Sequence, residues 1–93
     1  MDVNNAVVLI TGAAQRVGRA VALELARRGA RIAFSYYTDD EPWQDVLAEL
    51  EALGQPALAR QADVTCRADG QMLVEAALSA FGRIDVLINN ASI

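Results

Sequence analysis

Three short stretches of this 93-residue chain hold residues whose types and spacing suit ligand chemistry. Thr11-Gly12-Ala13-Ala14-Gln15-Arg16-Val17-Gly18 is a glycine-containing turn between an apolar run and a helical one. At the carboxyl end of a strand, such a turn presents the unpaired N–H groups of a helix N-terminus, and these bind phosphate. Gly12 permits the tight turn, and Gly18 lets the helix pack close to the strand. The glycine spacing is longer than G-x-G-x-x-G and does not satisfy it. Asp63-Val64 and Asn89-Asn90-Ala91-Ser92 each follow a later apolar run. Taken singly, the acid and the paired amides are also ordinary strand-ending turn residues. Every α/β protein needs glycine turns, so the first stretch takes its meaning from the other two.

The chemistry that the composition excludes is equally informative. All eight basic residues are Arg, and there is no His. An imidazole, a Schiff-base lysine or a Tyr–Lys pair within the chain is therefore excluded as its catalytic group. Metal sites built on His or on several Cys are excluded too, because Cys66 is the one cysteine, which also rules out an intrachain disulfide. Lys+Arg of 8 against Asp+Glu of 12 gives a net charge of −4, with no like-charge run beyond Asp39-Asp40-Glu41. That balance argues against a nucleic-acid surface. Hydrophobic content of 54% and charged content of 22% are those of a globular chain. No basic region precedes the apolar run Ala6–Ile10, which is too short for a secretory signal, and nothing approaches a membrane-spanning length. The expectation is a reducing cytoplasm, without membrane or nucleic acid as partner.

The elements that must position these stretches follow from the apolar pattern. Ala6–Ile10 reads as a strand buried on both faces. From Ala14 to Arg28, Val17, Val21 and Leu25 lie four apart and predict a helix packed through that face, stopped by Gly29. Arg31–Tyr36 is a second strand. Asp39-Asp40-Glu41-Pro42 signals a helix start, and Trp43, Val46, Leu47, Leu50 and Leu53 form its stripe before Gly54. Pro56–Ala62 is a weaker third strand, Ala68–Phe81 a third helix and Ile84–Asn89 a fourth strand. Alternating strands and helices imply a parallel sheet with right-handed crossovers. The fold class is α/β: a Rossmann-type, doubly wound parallel sheet of which residues 1–93 supply four strands and three helices. All three ligand stretches then fall at carboxyl ends of strands, on one edge of the sheet.

In that order and spacing, the sequence resembles the short-chain dehydrogenase/reductase family along its whole length. Members carry T-G-x-x-x-G-x-G after strand one, an Asp-Val-like pair after strand three and N-N-A-G after strand four. The resemblance implies a dinucleotide-binding portion in which Gly12, Gln15, Arg16 and Val17 line the pyrophosphate and adjoining ribose. It implies that Asp63 accepts from the adenine amino group beside Val64, that Asn90 and Ala91 contact the adenosine-side ribose, and that Asn89 braces the sheet. Two departures, Arg16 at the second motif glycine and Ser92 at the last glycine of N-N-A-G, look like the pteridine reductase branch. There the Arg approaches the cofactor phosphates and the substrate ring, and its planar donor fork suits either.

An acid ending strand two selects NAD in such folds by holding the ribose 2′-hydroxyl and repelling a 2′-phosphate. Here Ser35-Tyr36-Tyr37-Thr38 stands in that place, with no acid before Asp39. Tyr37 and Thr38 hydroxyls with Arg16 nearby suit a phosphate, so the expected cofactor is NADP(H), with NAD(H) favoured instead if Asp39 turns back toward the ribose. The family's hydride transfer also needs a Ser and a Tyr-x-x-x-Lys beyond strand four, and this chain has no Lys. The resemblance therefore implies the cofactor-binding part of an oxidoreductase acting on a small-molecule carbonyl or imine. The parent enzyme is compatible with a homo-oligomer, and the piece alone is expected to be inactive. A non-catalytic nucleotide-binding module is the alternative. A methyltransferase-like fold would want a G-x-G-x-G loop and an acid ending strand two, and has neither.

Overall fold

A computed structural model describes residues 2–90. Its elements are β1 (Val7–Thr11), α1 (Arg16–Arg27), β2 (Arg31–Tyr36), α2 (Trp43–Ala52), β3 (Ala57–Gln61), α3 (Arg67–Phe81) and β4 (Val86–Asn89). The described strands form one parallel sheet in the order β3-β2-β1-β4. Every β1 residue is buried, as its unbroken apolar run requires of a central strand.

The topology decides which face each helix covers. From β1 to β2 to β3 the chain steps one way across the sheet, and from β3 it returns past β2 and β1 to place β4. With right-handed crossovers, reversing the step moves the helix to the opposite face. Accordingly, Val8, Ile10, Ile32 and Phe34 pack with Ala22 and Ala26 of α1 and with Val46 and Leu50 of α2. On the other face, Leu9 and Ala33 meet Leu73 and Ala77 of α3. Tyr36 stacks on Trp43, ring centroids 4.7 Å apart, and so ties the end of β2 to the start of α2.

The packed face of α1 differs from the expected one. Gly18, Ala22 and Ala26 are buried, whereas Val17 is 67% exposed and Val21 and Leu25 are only half-buried. The period of four is right, but the helix is turned by one residue. Gly and Ala bring its backbone closer to β1 and β2 than a Val/Leu stripe allows. The helix also starts at Arg16 rather than Ala14, because Ala13 belongs to the turn and donates its N–H to the Ser35 carbonyl at 3.0 Å. β4 is shorter than the apolar run around it and lies at an edge, where Leu87 is 55% exposed. Leu87 lies opposite Leu9 in register, on the face that α3 covers further along. No helix among the described residues is long and apolar enough to cross a membrane.

Away from the carboxyl edge, Asp85 closes the other end of β1. Its Oδ2 accepts from Val7 N–H at 2.8 Å and from Arg83 Nε at 2.9 Å. The Val7 N–H, and after it Arg83, hold the Asp85 carboxyl below the usual carboxylate range. The folded state thus favours the charged form. Its contribution to stability is complete above the ordinary Asp pKa of about 4 and is lost as pH falls through and below that value. Asp85→Asn should therefore destabilise the protein at neutral pH, with the difference from wild type shrinking below about pH 4. Urea unfolding of both proteins across that range checks this, and a pH-independent difference contradicts it.

Candidate functional site

The carboxyl ends of the strands enclose a cleft of ≈ 790 Å³. It runs across the carboxyl ends of β1, β2 and β3, with Asn90 from the end of β4, on the edge of the sheet where ligands usually bind in such folds. Gly12, Gln15, Arg16, Val17, Tyr37, Thr38, Asp63, Val64 and Asn90 all line it, together with Ser35, Glu41, Ala62 and Thr65. Ala91, expected beside Asn90, lies outside the described residues, as does Ser92.

The floor of the cleft is the turn after β1. Gly12 takes a φ of 69°, the left-handed region that glycine enters without penalty. Its N–H donates to Ser35 Oγ at 3.0 Å, so the buried Ser35 side chain pins the turn to β2. Asn90 pins it to β4: its N–H donates to Thr11 Oγ1 at 3.1 Å, and its Nδ2 donates to the Gly12 carbonyl at 3.0 Å. The side-chain brace expected of Asn89 is thus made by Asn90, while Asn89 is exposed at the strand end. Gly18 leaves the space for it. A Cβ there would come 2.5 Å from both Asn90 Nδ2 and the Gly12 carbonyl oxygen.

α1 reaches this floor with an open N-terminus. Its cap residue, Gln15, makes no side-chain cap bond, and no acid stands in the first turn, in contrast to Asp45 of α2 and Asp69 of α3. The first N–H groups of a helix lack intrahelical partners and carry the positive end of its dipole. Arg16 adds a full positive charge at that same end, and its side chain makes no ion pair or hydrogen bond among the described residues. Placed so, a cation disfavours the helix unless an anion faces it. Arg16 also has a φ of 60°. A side-chain-bearing residue in that region costs about 1–2 kcal/mol. The backbone therefore keeps the shape of a glycine while the sequence supplies a guanidinium.

The walls carry the negative groups. Asp63 Oδ1 accepts from Thr65 N–H at 2.9 Å and Thr65 Oγ1 at 2.6 Å, which keeps its carboxyl below the usual range. Its backbone is fixed from behind, where Asp63 N–H donates to Asp69 Oδ2 at 2.8 Å. At the end of β2, Glu41 Oε2 accepts from Tyr37 N–H at 2.7 Å and Thr38 N–H at 2.6 Å. The acid that turns back toward β2 is thus Glu41, not Asp39. Thr38-Asp39-Asp40-Glu41 has the T-x-x-E spacing of a capping box, a signal that identifies Glu41 from sequence. Ser35 gave no such signal, because its role depends on the register between β1 and β2. Of the two tyrosines, Tyr36 is buried, and burial pushes its phenol up, opposite to the shift that suits a catalytic acid–base.

The family model for short chain dehydrogenases matches residues 6–93. The chain belongs to the short-chain dehydrogenase family. It is 44% identical over 86 residues to an L-rhamnose 1-dehydrogenase (NAD(P)(+)) of Sphingomonas sp. (strain SKA58), covering 92% of this chain and 34% of that one. It is 37% identical over 93 residues to the short-chain dehydrogenase/reductase homolog YusS of Bacillus subtilis (strain 168), covering 100% of this chain and 85% of that one. Two solved structures of the fold superpose closely. An NADH-dependent reductase A1-R′ complexed with NAD gives a TM-score of 0.88 at 38% identity, over 99% of this chain and 38% of that chain. A Burkholderia cenocepacia protein with bound NADP gives 0.90 at 34% identity, over 95% and 34%. The chain spans about a third of the length of several curated relatives it matches, the L-rhamnose 1-dehydrogenase among them.

The brace under the cleft can be tested by adding the Cβ for which the contact at Gly18 leaves no room. Gly18→Ala should destabilise the fold by roughly 1–3 kcal/mol, the range for overpacking a tight contact. It should also release the Asn90 side chain. Denaturant unfolding and the Asn90 side-chain amide resonances report the two effects, and a stable variant with an unmoved Asn90 would contradict the packing argument.

Proposed function

We propose that the chain is the NADP(H)-binding part of an oxidoreductase whose complete form acts on a small-molecule carbonyl or imine. The observation that carries this reading is the open N-terminus of α1, with unpartnered Arg16 at its first position and no acid in its first turn. Those charges ask for an anion, and a dinucleotide's pyrophosphate supplies one. Gly12, Gln15, Arg16 and Val17 would hold the pyrophosphate and the adjoining ribose. Asp63 would accept from the adenine amino group beside Val64. The turn at Tyr37 and Thr38 would receive the 2′-phosphate, and Asn90 with Ala91 would meet the adenosine-side ribose. Bound there, the cofactor supplies hydride; the chain's own residues bind, orient and brace. Exposed Cys66 suits a reducing compartment, which we take to be the cytoplasm.

Arg16 also supports a second substrate reading, a pteridine reductase-like parent, because a guanidinium at the cleft can meet a planar ring as well as a phosphate. A non-catalytic nucleotide-binding module is the other alternative.

Calorimetry with NADPH and NADH tests the cofactor reading, with NADPH expected to bind more tightly; tighter NADH binding would overturn the NADP(H) assignment. Arg16→Gly should move two quantities in opposite directions. It removes a strained φ and a charge disfavoured by the helix dipole, partly offset by the greater backbone entropy that Gly loses on folding, so stability should rise by up to about 1 kcal/mol. It also removes a phosphate contact, so NADPH affinity should fall by about tenfold. Unchanged affinity would assign Arg16 to solvent. Purified 93-residue protein should show no turnover, since it has no Lys and no Tyr-x-x-x-Lys; contaminant-free turnover would refute that.

A further inference from the structure

We propose that Thr65 is a positioning residue that sets the base selectivity of the cleft, by locking the Asp63 carboxylate so that a single acceptor oxygen faces the ligand. The inference rests on the dinucleotide reading of the cleft and adds to it a residue that none of the strand-end motifs names. Asp63 Oδ1 is spent on Thr65, accepting its N–H at 2.9 Å and its Oγ1 hydroxyl at 2.6 Å. The Asp63 backbone is spent as well: its N–H donates to Asp69 Oδ2 at 2.8 Å, and its carbonyl accepts from Cys66 N–H at 2.9 Å. What remains without a partner among the described residues is Asp63 Oδ2 and, next along the chain, the Val64 N–H. Both residues line the cleft. The loop after β3 thus presents a fixed acceptor beside a free donor.

An ionised carboxylate only accepts, so Oδ2 requires a donor from the ligand. The 6-amino group of adenine is such a donor, and the ring nitrogen beside it accepts, which matches the Val64 N–H. Hypoxanthine reverses both: its 6-carbonyl accepts and its ring N–H donates. A freely turning Asp63 could follow that exchange by swinging to the ring N–H. The two bonds from Thr65 oppose the swing, because turning the carboxylate away from Thr65 gives up charge-assisted hydrogen bonds. Thr65, not Asp63 alone, therefore makes this wall discriminate. The Thr65 hydroxyl, and after it the Thr65 N–H, also hold the carboxyl below the usual range, so it stays ionised and acceptor-only at neutral pH. Asp69 contributes from behind: it stands in the first turn of α3 yet bonds the Asp63 N–H, which ties the loop to the helix.

Dissociation constants for NADPH and for its hypoxanthine counterpart, the same molecule with a 6-carbonyl in place of the 6-amino group, are measured by calorimetry on the wild type, Thr65→Val and Thr65→Ser. The wild type should bind NADPH at least about tenfold more tightly than the hypoxanthine dinucleotide. Thr65→Val keeps the shape and removes the hydroxyl; it should lower that ratio about fivefold, and Thr65→Ser should restore it. If Thr65→Val weakens both dinucleotides equally and the ratio stands, Thr65 only shapes the loop and the proposal fails. A wild type that binds both alike also overturns it, while the dinucleotide reading survives. If neither binds the folded wild type, that reading itself fails. Amide exchange on the wild type alone guards against a poorly folded variant. The Thr65 N–H should stay protected when NADPH is bound; its loss of protection would mean that Asp63 has turned, which contradicts the lock.

Discussion

The hydrogen bond from Asn90 Nδ2 to the Gly12 carbonyl is the contact on which the cleft depends. It joins the end of β4 to the turn after β1 at 3.0 Å, and it exists because Gly18 contributes no side chain at the point where α1 crosses both. Ser35 performs the matching task from β2, accepting the Gly12 N–H. The turn is thus held from both neighbouring strands, and the start of α1 is aimed by that clamp rather than by its own cap. A helix end left without a capping side chain would ordinarily fray. Here the buried, close-packed Gly18-Ala22-Ala26 face secures the rest of the helix, and the first turn stays open for a ligand.

Electrostatics divides the cleft into two parts. The floor is positive, from the α1 N-terminus and Arg16. The end of β2 is positive through its N–H groups but already filled by a carboxylate from the chain itself. A floor without a partner and an N–H pair with an internal one set different requirements for binding. The first leaves its charge uncompensated within the described residues, and the second already has its anion in Glu41. The left-handed Arg16 belongs to the same division, since strain of about 1–2 kcal/mol persists where the surrounding structure fixes the backbone.

Much of this was legible in the sequence, for identifiable reasons. The order of elements followed from apolar runs and glycine stops, and the family from three motifs at strand ends. Nine of the ten site residues named from sequence line one cleft, and the tenth, Ala91, lies outside the described residues. What escaped was set by packing distance and register. Val17, Val21 and Leu25 look like a core stripe by hydrophobicity, but close approach to the sheet favours the Gly/Ala face one residue on. The brace moved from Asn89 to Asn90 because the Asn90 side chain, not that of Asn89, reaches the Gly12 carbonyl. Glu41 had a readable spacing from Thr38, yet only the structure puts its oxygen on both the Tyr37 and Thr38 N–H groups.

The central claim is that an anionic dinucleotide docks on the open end of α1. Titrating NADPH into isotope-labelled protein and following every backbone amide by NMR tests it most directly. The account predicts the largest shifts at Arg16, Val17 and Gly18, with further shifts at Tyr37, Thr38, Asp63 and Asn90. Shifts confined to the exposed α3 and Leu87 side, or no saturable shifts at all, would contradict it.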